Sequence, residues 1–470
     1  MPPTTVLRAR VPGSVSVAVT DIEGRPVVTV EIDPSIKRGA LSESDGHGIA
    51  AAARVALQER LPLVAYVASS GADVADGVAA LVGWGNAARE LVRCSGVVPI
   101  VLVVNGPAVS GPALLLGLAD VVIMTPEAYA FVSGPRMVTA FTGVPISTTA
   151  LGGPGSHARA SGVAGLIAAD DDDARDLVAV LLSHLPSNLD EEPPRILTTD
   201  PVDRATPEAG ALMPASVTGS YDVRAVARAI VDDGELLELR PAWAANIVTA
   251  FASIGGRPIG IVANQPQTLA GTLDIAASQK GARFVAFCDA FNIPLLTVVD
   301  TPGFSPGKDQ EWRGMIRHGA QLAFAYARAT VPRISLTLRK SYGGAFIVMD
   351  SKTMGNDLAL AWPTAEIAVM GAKGAVEILH RRATPEEQIA LAADYEERLL
   401  NPYRAAERGL LDAVIDPAES RREIAAALEV LSTKREHIVA RAHDNTPHRR
   451  TELAEAASPV LQTRESRVGA

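Results

Sequence analysis

Gly24-Arg25-Pro26-Val27-Val28-Thr29-Val30 and Gly256-Arg257-Pro258-Ile259-Gly260-Ile261-Val262 are one phrase written twice, 232 residues apart. Each is a turn that opens an apolar, β-branched run, the pattern of a buried strand. Working outward, Leu61-Pro62-Leu63-Val64-Ala65-Tyr66-Val67 matches Ile293-Pro294-Leu295-Leu296-Thr297-Val298-Val299 at the same offset of 232. Val98-Pro99-Ile100 meets Val331-Pro332-Arg333-Ile334 at 233, which sets Ser110-Gly111 opposite Gly343-Gly344, and Pro126–Gly134 meets Pro363–Gly371 at 237. Ordered matches with a slowly drifting offset mark an internal duplication. Within each copy, apolar strands such as Val97–Val104 end in Gly or Pro and alternate with Ala-rich helical stretches, Gly48–Glu59 and Ala276–Phe291. This predicts an α/β chain of two tandem domains, residues 1–235 and 236–434. Between them, Leu185–Ser220 carries Pro186, Pro193, Pro194, Pro201, Pro207 and Pro214 among acidic residues and reads as a crossover linker outside the core. Residues 435–470 read as a polar tail, a frayed helix and then disorder.

The composition narrows the function. A chain of 470 residues has room for two large domains, and 48% hydrophobic against 20% charged residues argues against global disorder. Only 4% are aromatic, so the core is aliphatic. A net charge of −10 argues against a nucleic-acid partner, since phosphate binding needs a basic face. Cys94 and Cys288 stand far apart, which excludes a four-cysteine zinc ribbon, a CxxC redox pair and a disulfide framework. The start, Met1-Pro2-Pro3-Thr4-Thr5-Val6-Leu7-Arg8, has no apolar signal-peptide core. No uninterrupted apolar run reaches the roughly 18 residues of a membrane span. A cytoplasmic, metal-free protein is the expectation.

Familiar nucleophile and phosphate motifs are missing. There is no GxSxG elbow and no GxGxxG after a strand. Gly303-Phe304-Ser305-Pro306-Gly307-Lys308 is one residue short of a phosphate loop, and Asp309 replaces its Ser or Thr. The histidines have no metal spacing, so His157 and His318 read as solvated or structural; Asp170–Asp173 reads as a solvated helix start. What recurs instead is small residues at strand-to-helix turns. One set is Asn105-Gly106-Pro107-Ala108-Val109-Ser110-Gly111 with Gly343-Gly344; the other is Val132-Ser133-Gly134-Pro135 with Val369-Met370-Gly371-Ala372. Such turns let backbone amides face a ligand, and two amides on one oxygen make an oxyanion hole. An oxyanion hole without a nucleophile suits enolate stabilisation at a thioester, with the base supplied by the other substrate.

Residues 220–430 also carry Asn264-Gln265-Pro266, Leu269-Ala270-Gly271, Ala282-Arg283-Phe284-Val285 and Cys288-Asp289-Ala290-Phe291-Asn292-Ile293-Pro294-Leu295. Asp300-Thr301-Pro302-Gly303-Phe304-Ser305-Pro306-Gly307, Arg339-Lys340-Ser341-Tyr342-Gly343-Gly344-Ala345, Ala361-Trp362-Pro363-Thr364-Ala365 and Asn401-Pro402-Tyr403 follow. In these segments the second half resembles the carboxyltransferase (β) subunit of biotin-dependent acyl-CoA carboxylases. The first half resembles that family's N-terminal domain less closely, through Ser70-Gly71-Ala72, Gly77-Val78, Val132–Pro135, Thr142-Gly143, Leu151-Gly152-Gly153 and His157. It departs at Asp73, where the family has Arg; at Arg136, where it has Asp; and at Ser110, where it has Gly. Val144-Pro145 and Thr148-Thr149 replace acidic residues, and the family's initial helical segment has no counterpart.

The resemblance implies two crotonase-like domains, assembly as a hexamer made of three dimers, and a site shared between the first half of one chain and the second half of its partner. It implies acyl-CoA on the first half and carboxybiotin, brought by a separate biotinylated subunit, on the second. The Gly371 and Ala372 amides would hold the biotin carbonyl oxygen, and those of Ser110 and Gly111 the thioester oxygen. Tyr342, Gly343, Gly344, Gly303, Phe304, Ala72, Gly134 and Pro135 would line the substrate and biotin paths. Carboxyl transfer to acetyl-CoA or propionyl-CoA is the implied reaction. A biotin-dependent decarboxylase subunit and a non-catalytic paralogue within a carboxylase complex are the alternatives.

Overall fold

The computed structural model describes residues 7–10, 13–216, 218–434 and 436. Apart from Glu436, the expected tail of residues 435–470 lies outside the described residues. Two sheets carry one plan. The first contains β1 (Leu7–Arg10), β2 (Val15–Ile22), β3 (Arg25–Ile32), β4 (Leu63–Ser69), β5 (Ile100–Val109), β6 (Val121–Met124), β7 (Tyr129–Phe131) and β8 (Leu166–Ile167). The second contains β9 (Leu237–Glu238), β10 (Ile247–Ile254), β11 (Arg257–Asn264), β12 (Leu295–Thr301), β13 (Arg333–Tyr342), β14 (Leu358–Ala361), β15 (Glu366–Ala368) and β16 (Ala413–Val414). Their orders are β1-β2-β3-β4-β5-β6-β8 and β9-β10-β11-β12-β13-β14-β16, with β7 added to β5 and β15 to β13.

The register is duplicated as well. Val28 lies opposite Leu63 and Gly260 opposite Leu295; the β4–β5 pairing slips between Val67 and Ser69, and the β12–β13 pairing between Val299 and Thr301. The Gly-Arg-Pro phrase proves to start at a hairpin. Glu23 (φ 52°) and Gly24 (φ 80°) join β2 to β3, and Gly255 (φ 59°) and Gly256 (φ 71°) join β10 to β11. Two positive φ values are the type I′ turn that suits strand twist, and the second position is Gly in both copies. These antiparallel ribbons were not legible in a reading that foresaw only alternating strands and helices.

The Ala-rich helices form at Glu43–Glu59, capped by a Ser42/Asp45 box, and at Ile275–Ala290, capped by Asp274. Their alanines let helices lie close to a sheet whose strands are apolar on both faces. The layers follow from the burial pattern. Helices Glu43–Glu59 and Val78–Cys94 cover one face of the first sheet. Helix Asp171–Ser183, with Ile275–Ala290 and Met315–Arg328 of the second copy, fills the space between the two sheets. Helices Val223–Ile230 and Ser420–Val430 cover the outer face of the second sheet. The middle core contains Val64, Val101 and Ile123 of one copy together with Phe251, Phe284 and Leu322 of the other. The two copies therefore share a core.

The proline-rich segment is more ordered than a linker. Leu185 joins the shared core and Leu189 the first copy's core, while Ala209, Tyr221, Val223 and Val226 pack on the second sheet. Chain upstream of residue 235 thus belongs physically with the second sheet. Asp170 caps helix Asp171–Ser183 by accepting from the Asp173 N–H, so the aspartate run is a helix start. Cys94 and Cys288 are buried free thiols, and burial pushes Cys94 up to about 12, which leaves it unreactive.

Lys280 locks the passage between the copies. Its ammonium, 3% exposed, donates to the carbonyls of Arg240 (2.9 Å), Trp243 (3.0 Å) and Ile247 (2.7 Å). Arg240 in turn reaches the first copy through Gly162 O (2.7 Å). Burial pushes Lys280 down to about 7. Lys280→Met keeps the stem and strands three carbonyl acceptors, that of Ile247 buried. A loss of at least about 3 kcal/mol in urea unfolding is expected; an unchanged midpoint would mean that water replaces the ammonium.

Candidate active site

Both copies build the same pair of facing turns. In the first, β4 ends at Ser69, whose Oγ accepts from the Gly71 N–H at 3.3 Å, and Gly71 takes φ 111°. The Leu41 N–H donates to Gly71 O and the Asp73 N–H to Leu41 O, each at 2.8 Å. That parallel bridge uses the neighbours of Ala72, so the Ala72 N–H points the opposite way. In the second copy the Gly303 N–H (φ 137°) donates to Thr301 Oγ1 at 3.3 Å. Leu273 bonds Gly303 and Ser305 in the same manner, which turns out the Phe304 N–H.

A left-handed turn braces each loop. Lys37, Arg38 and Gly39 (φ 49°, 56°, 68°) match Leu269, Ala270 and Gly271 (φ 49°, 52°, 73°). A Cβ on Gly39 would stand 1.9 Å from Ala68 O, and one on Gly271 2.5 Å from Asp300 O, so only Gly fits there.

Facing these loops are the strand-to-helix turns Ser110-Gly111 and Gly343-Gly344. A Cβ on Gly71 would lie 3.7 Å from Ser110 Cβ, and one on Gly344 would lie 3.3 Å from the Phe304 ring. Ala72, Ser110 and Gly111 are thus brought together, as are Gly303, Phe304, Gly343 and Gly344. The remaining expected residues join them. Gly134 opens helix Pro135–Thr142 with a would-be Cβ 3.3 Å from the Phe131 ring; Gly371 opens helix Ala372–Leu379 with one 3.5 Å from the Tyr342 ring. The buried Tyr342 donates its hydroxyl to Glu366, and burial together with that carboxylate keeps the phenol protonated.

The geometry revises the expected donors. The Ser110 N–H is already committed to Phe131 O at 3.0 Å, because the turn continues the β5–β7 pairing. The amides left facing the first site are those of Ala72 and Gly111 rather than Ser110 and Gly111. Gly303 likewise spends its N–H on Thr301, leaving Phe304. Pro135 has no N–H at the place where Ala372 has one. The second copy therefore offers Gly371 and Ala372 as a donor pair that the first copy lacks.

Ser110 also stands out in its backbone. At φ 62° and ψ −120° it occupies a region natural to glycine, and its counterpart Gly343 (φ 59°) is a glycine. A side chain there costs about 1–3 kcal/mol.

Sequence reasoning missed Asp300. Its carboxylate, 2% exposed, accepts from Tyr221 OH (2.8 Å), Arg339 Nε (3.0 Å) and the Lys340 N–H (3.1 Å). It ties the end of β12, which leads to Gly303-Phe304, to the end of β13, which leads to Gly343-Gly344. The counterpart in the first copy is Ala68, so this brace exists once. The signal available in the sequence was an Asp inside an otherwise apolar strand, followed by Thr-Pro-Gly. Asp73 pairs with Lys37 Nζ at 2.5 Å, and that hydrogen bond, with the Ala75 N–H, holds its carboxyl below the usual range. His157 bridges Ala130 O (2.8 Å) and Ser161 Oγ (2.7 Å), a structural role. Among the described residues no group of His, Cys, Asp and Glu could hold a metal, and no helix is long and apolar enough to cross a membrane.

Tandem crotonase-like domains whose strand-to-helix turns present backbone amides are suited to stabilising charge on a bound carbonyl. The chain belongs to the carboxyl transferase family: residues 6–446 match the carboxyl transferase domain. It is 43% identical over 445 residues to the propionyl-CoA carboxylase beta chain of Saccharopolyspora erythraea, covering 91% of this chain and 82% of that one. It is 41% identical over 427 residues to the methylmalonyl-CoA decarboxylase subunit alpha of Veillonella parvula, covering 91% and 84%. The crystal structure of transcarboxylase 12S, a hexamer assembly with methylmalonyl-CoA and methylmalonic acid bound, superposes with a TM-score of 0.90 at 41% identity. That match covers 92% of this chain and 85% of the other.

Proposed function

We propose that this chain is the carboxyltransferase subunit of a biotin-dependent acyl-CoA carboxylase. It would move a carboxyl group from carboxybiotin, held on a separate biotinylated carrier subunit, to the α carbon of a short acyl-CoA such as acetyl-CoA or propionyl-CoA. The observation that carries this reading is the amide-lined turn pair in each copy, with a further donor pair at Gly371-Ala372 alone. A neutral ureido oxygen suits that pair. Gly371 leaves open the space over the Tyr342 ring that a side chain would fill, and Tyr342 is fixed from behind by Glu366. Carboxybiotin, when bound, supplies CO2 and then a basic ring nitrogen for the α proton.

This chain's own part is to hold two oxygens. The Ala72 and Gly111 amides donate to the thioester oxygen as it gains enolate charge, and the Gly371 and Ala372 amides donate to the ureido oxygen. Aimed donors of this kind need no reorganisation when charge develops. Asp300 keeps the second copy's turns in register. A homohexamer agrees with the exposed Met137 and Phe141 beside the first cluster and Ile378 and Leu379 beside the second, apolar surface that another copy would cover.

Purified protein given malonyl-CoA or methylmalonyl-CoA with free biotin is expected to release acyl-CoA only when biotin is present. The faster thioester identifies the substrate. Absence of release from a folded oligomer would favour a non-catalytic paralogue. A decarboxylase subunit shares this half-reaction and is separated from the carboxylase reading by the carrier it accepts.

A further inference from the structure

We infer that the Ser110 hydroxyl is a third donor to the thioester oxygen in the first copy's site, alongside the Ala72 and Gly111 amides; this rests on the transfer reading above. Three observations converge on it. Ser110 is held at φ 62°, where its counterpart in the duplicate is Gly343, so a side chain persists against the backbone's own preference. Its N–H is spent on Phe131 O, so the residue has no amide to offer the site. Its side chain is exposed, and its Cβ lies 3.7 Å from where a Cβ on Gly71 would be, between the two turns. Among the described residues its hydroxyl has no hydrogen-bond partner.

A serine hydroxyl rotates freely and donates one hydrogen. Placed between the Ala72 and Gly111 amides, it restores the donor that the committed Ser110 N–H withholds. The oxygen it serves gains negative charge when the α proton leaves, so the bond is stronger to the enolate than to the ground-state thioester. Its loss should lower kcat more than it raises KM. Ser110 touches substrate in this account and is a catalytic residue.

The test compares the full-length wild type with Ser110→Ala and Ser110→Gly. One readout is biotin-dependent acyl-CoA release. The other is the 13C resonance of [1-13C]acetyl-CoA bound to the protein without biotin, which reports polarisation of the thioester carbonyl. Ser110→Ala keeps the methylene volume and loses the hydroxyl. An upfield carbonyl shift and a fall in kcat of about 100-fold with little change in KM are expected. Ser110→Gly removes hydroxyl and strain together, so it should melt higher yet turn over as slowly as Ser110→Ala. If both variants keep the wild-type rate and carbonyl shift, the hydroxyl is no donor. If Ser110→Gly alone is fully active, the side chain acts by volume and the inference falls. A Ser110-dependent carbonyl shift in a wild type that shows no biotin-dependent release would leave this inference standing and sink the transfer reading. No bound resonance at all would sink both.

Discussion

Gly371→Val should lower biotin-dependent transfer by about 10²–10³-fold with the fold intact. Gly371 sits at φ −61° and ψ 152°, extended backbone that valine accepts without strain. A Cβ there would meet the Tyr342 ring at 3.5 Å, an ordinary contact. Its two methyl groups, however, would occupy the space over the Gly371 and Ala372 amides. The signature is a fall in kcat/KM for biotin with the KM for malonyl-CoA unchanged and a melting temperature near the wild type. Normal turnover would mean that these amides hold nothing during transfer. Gly111→Val is a less clean experiment, because its Cβ would lie 3.0 Å from the Trp84 ring and the indole must shift. Activity lost there mixes a blocked amide with a disturbed core.

Arg421→Ala should be the most destabilising single change considered, at about 3–5 kcal/mol. The guanidinium is fully buried and donates to Asp232 Oδ1 (2.6 Å), Ile230 O (2.9 Å) and Pro201 O (3.0 Å). Asp232 also accepts from Ser253 Oγ (2.8 Å) and from the Gly255 and Gly256 N–H groups (2.9 and 2.8 Å). One pair therefore joins helix Ser420–Val430, the proline-rich segment and the β10–β11 hairpin. Removing the arginine leaves a buried carboxylate without its counter-charge. Equilibrium urea unfolding reads the loss, and a change under about 1 kcal/mol would show that the amides suffice.

The same pair sets a pH dependence. Burial works against the Asp232 charge, but the Gly256 N–H, Arg421 and Ser253 outweigh it and hold the carboxyl below its ordinary 3.8. A depressed carboxyl contributes stability that is present above its unfolded value and lost as pH falls through its folded value. Acid unfolding below pH 3.8 should therefore flatten in Asp232→Asn.

Legibility differed by the range of the interactions. The duplication showed because Gly24-Arg25-Pro26 and Gly256-Arg257-Pro258 are local turn chemistry, and local chemistry repeats when a fold repeats. The glycine turns of the site showed for the same reason. What stayed hidden depends on partners far away in the chain. The shared middle core pairs Val101 with residues beyond 250, and no periodicity in either copy announces that. The commitment of the Ser110 amide to Phe131 needs the β5–β7 register, and the Asp300 brace needs Tyr221 and Arg339 at once. The prolines of residues 185–220 suggested a loose connector, yet Arg421 and Thr206 draw the segment into the fold through its carbonyls and side chains.

Pro135 gives the duplication its sense of direction. Proline is a favoured first residue of a helix, so helix Pro135–Thr142 gains a good start from it. The same ring removes the one hydrogen that would have made this turn equal to Gly371-Ala372. Duplicated domains often insure one another, since a lesion in one can be covered by its twin. Here the twin keeps the helix start and lacks the N–H at its first position. Among the described residues the first copy holds no second version of the Gly371-Ala372 pair, so a defect at Ala372 would have no duplicate to cover it.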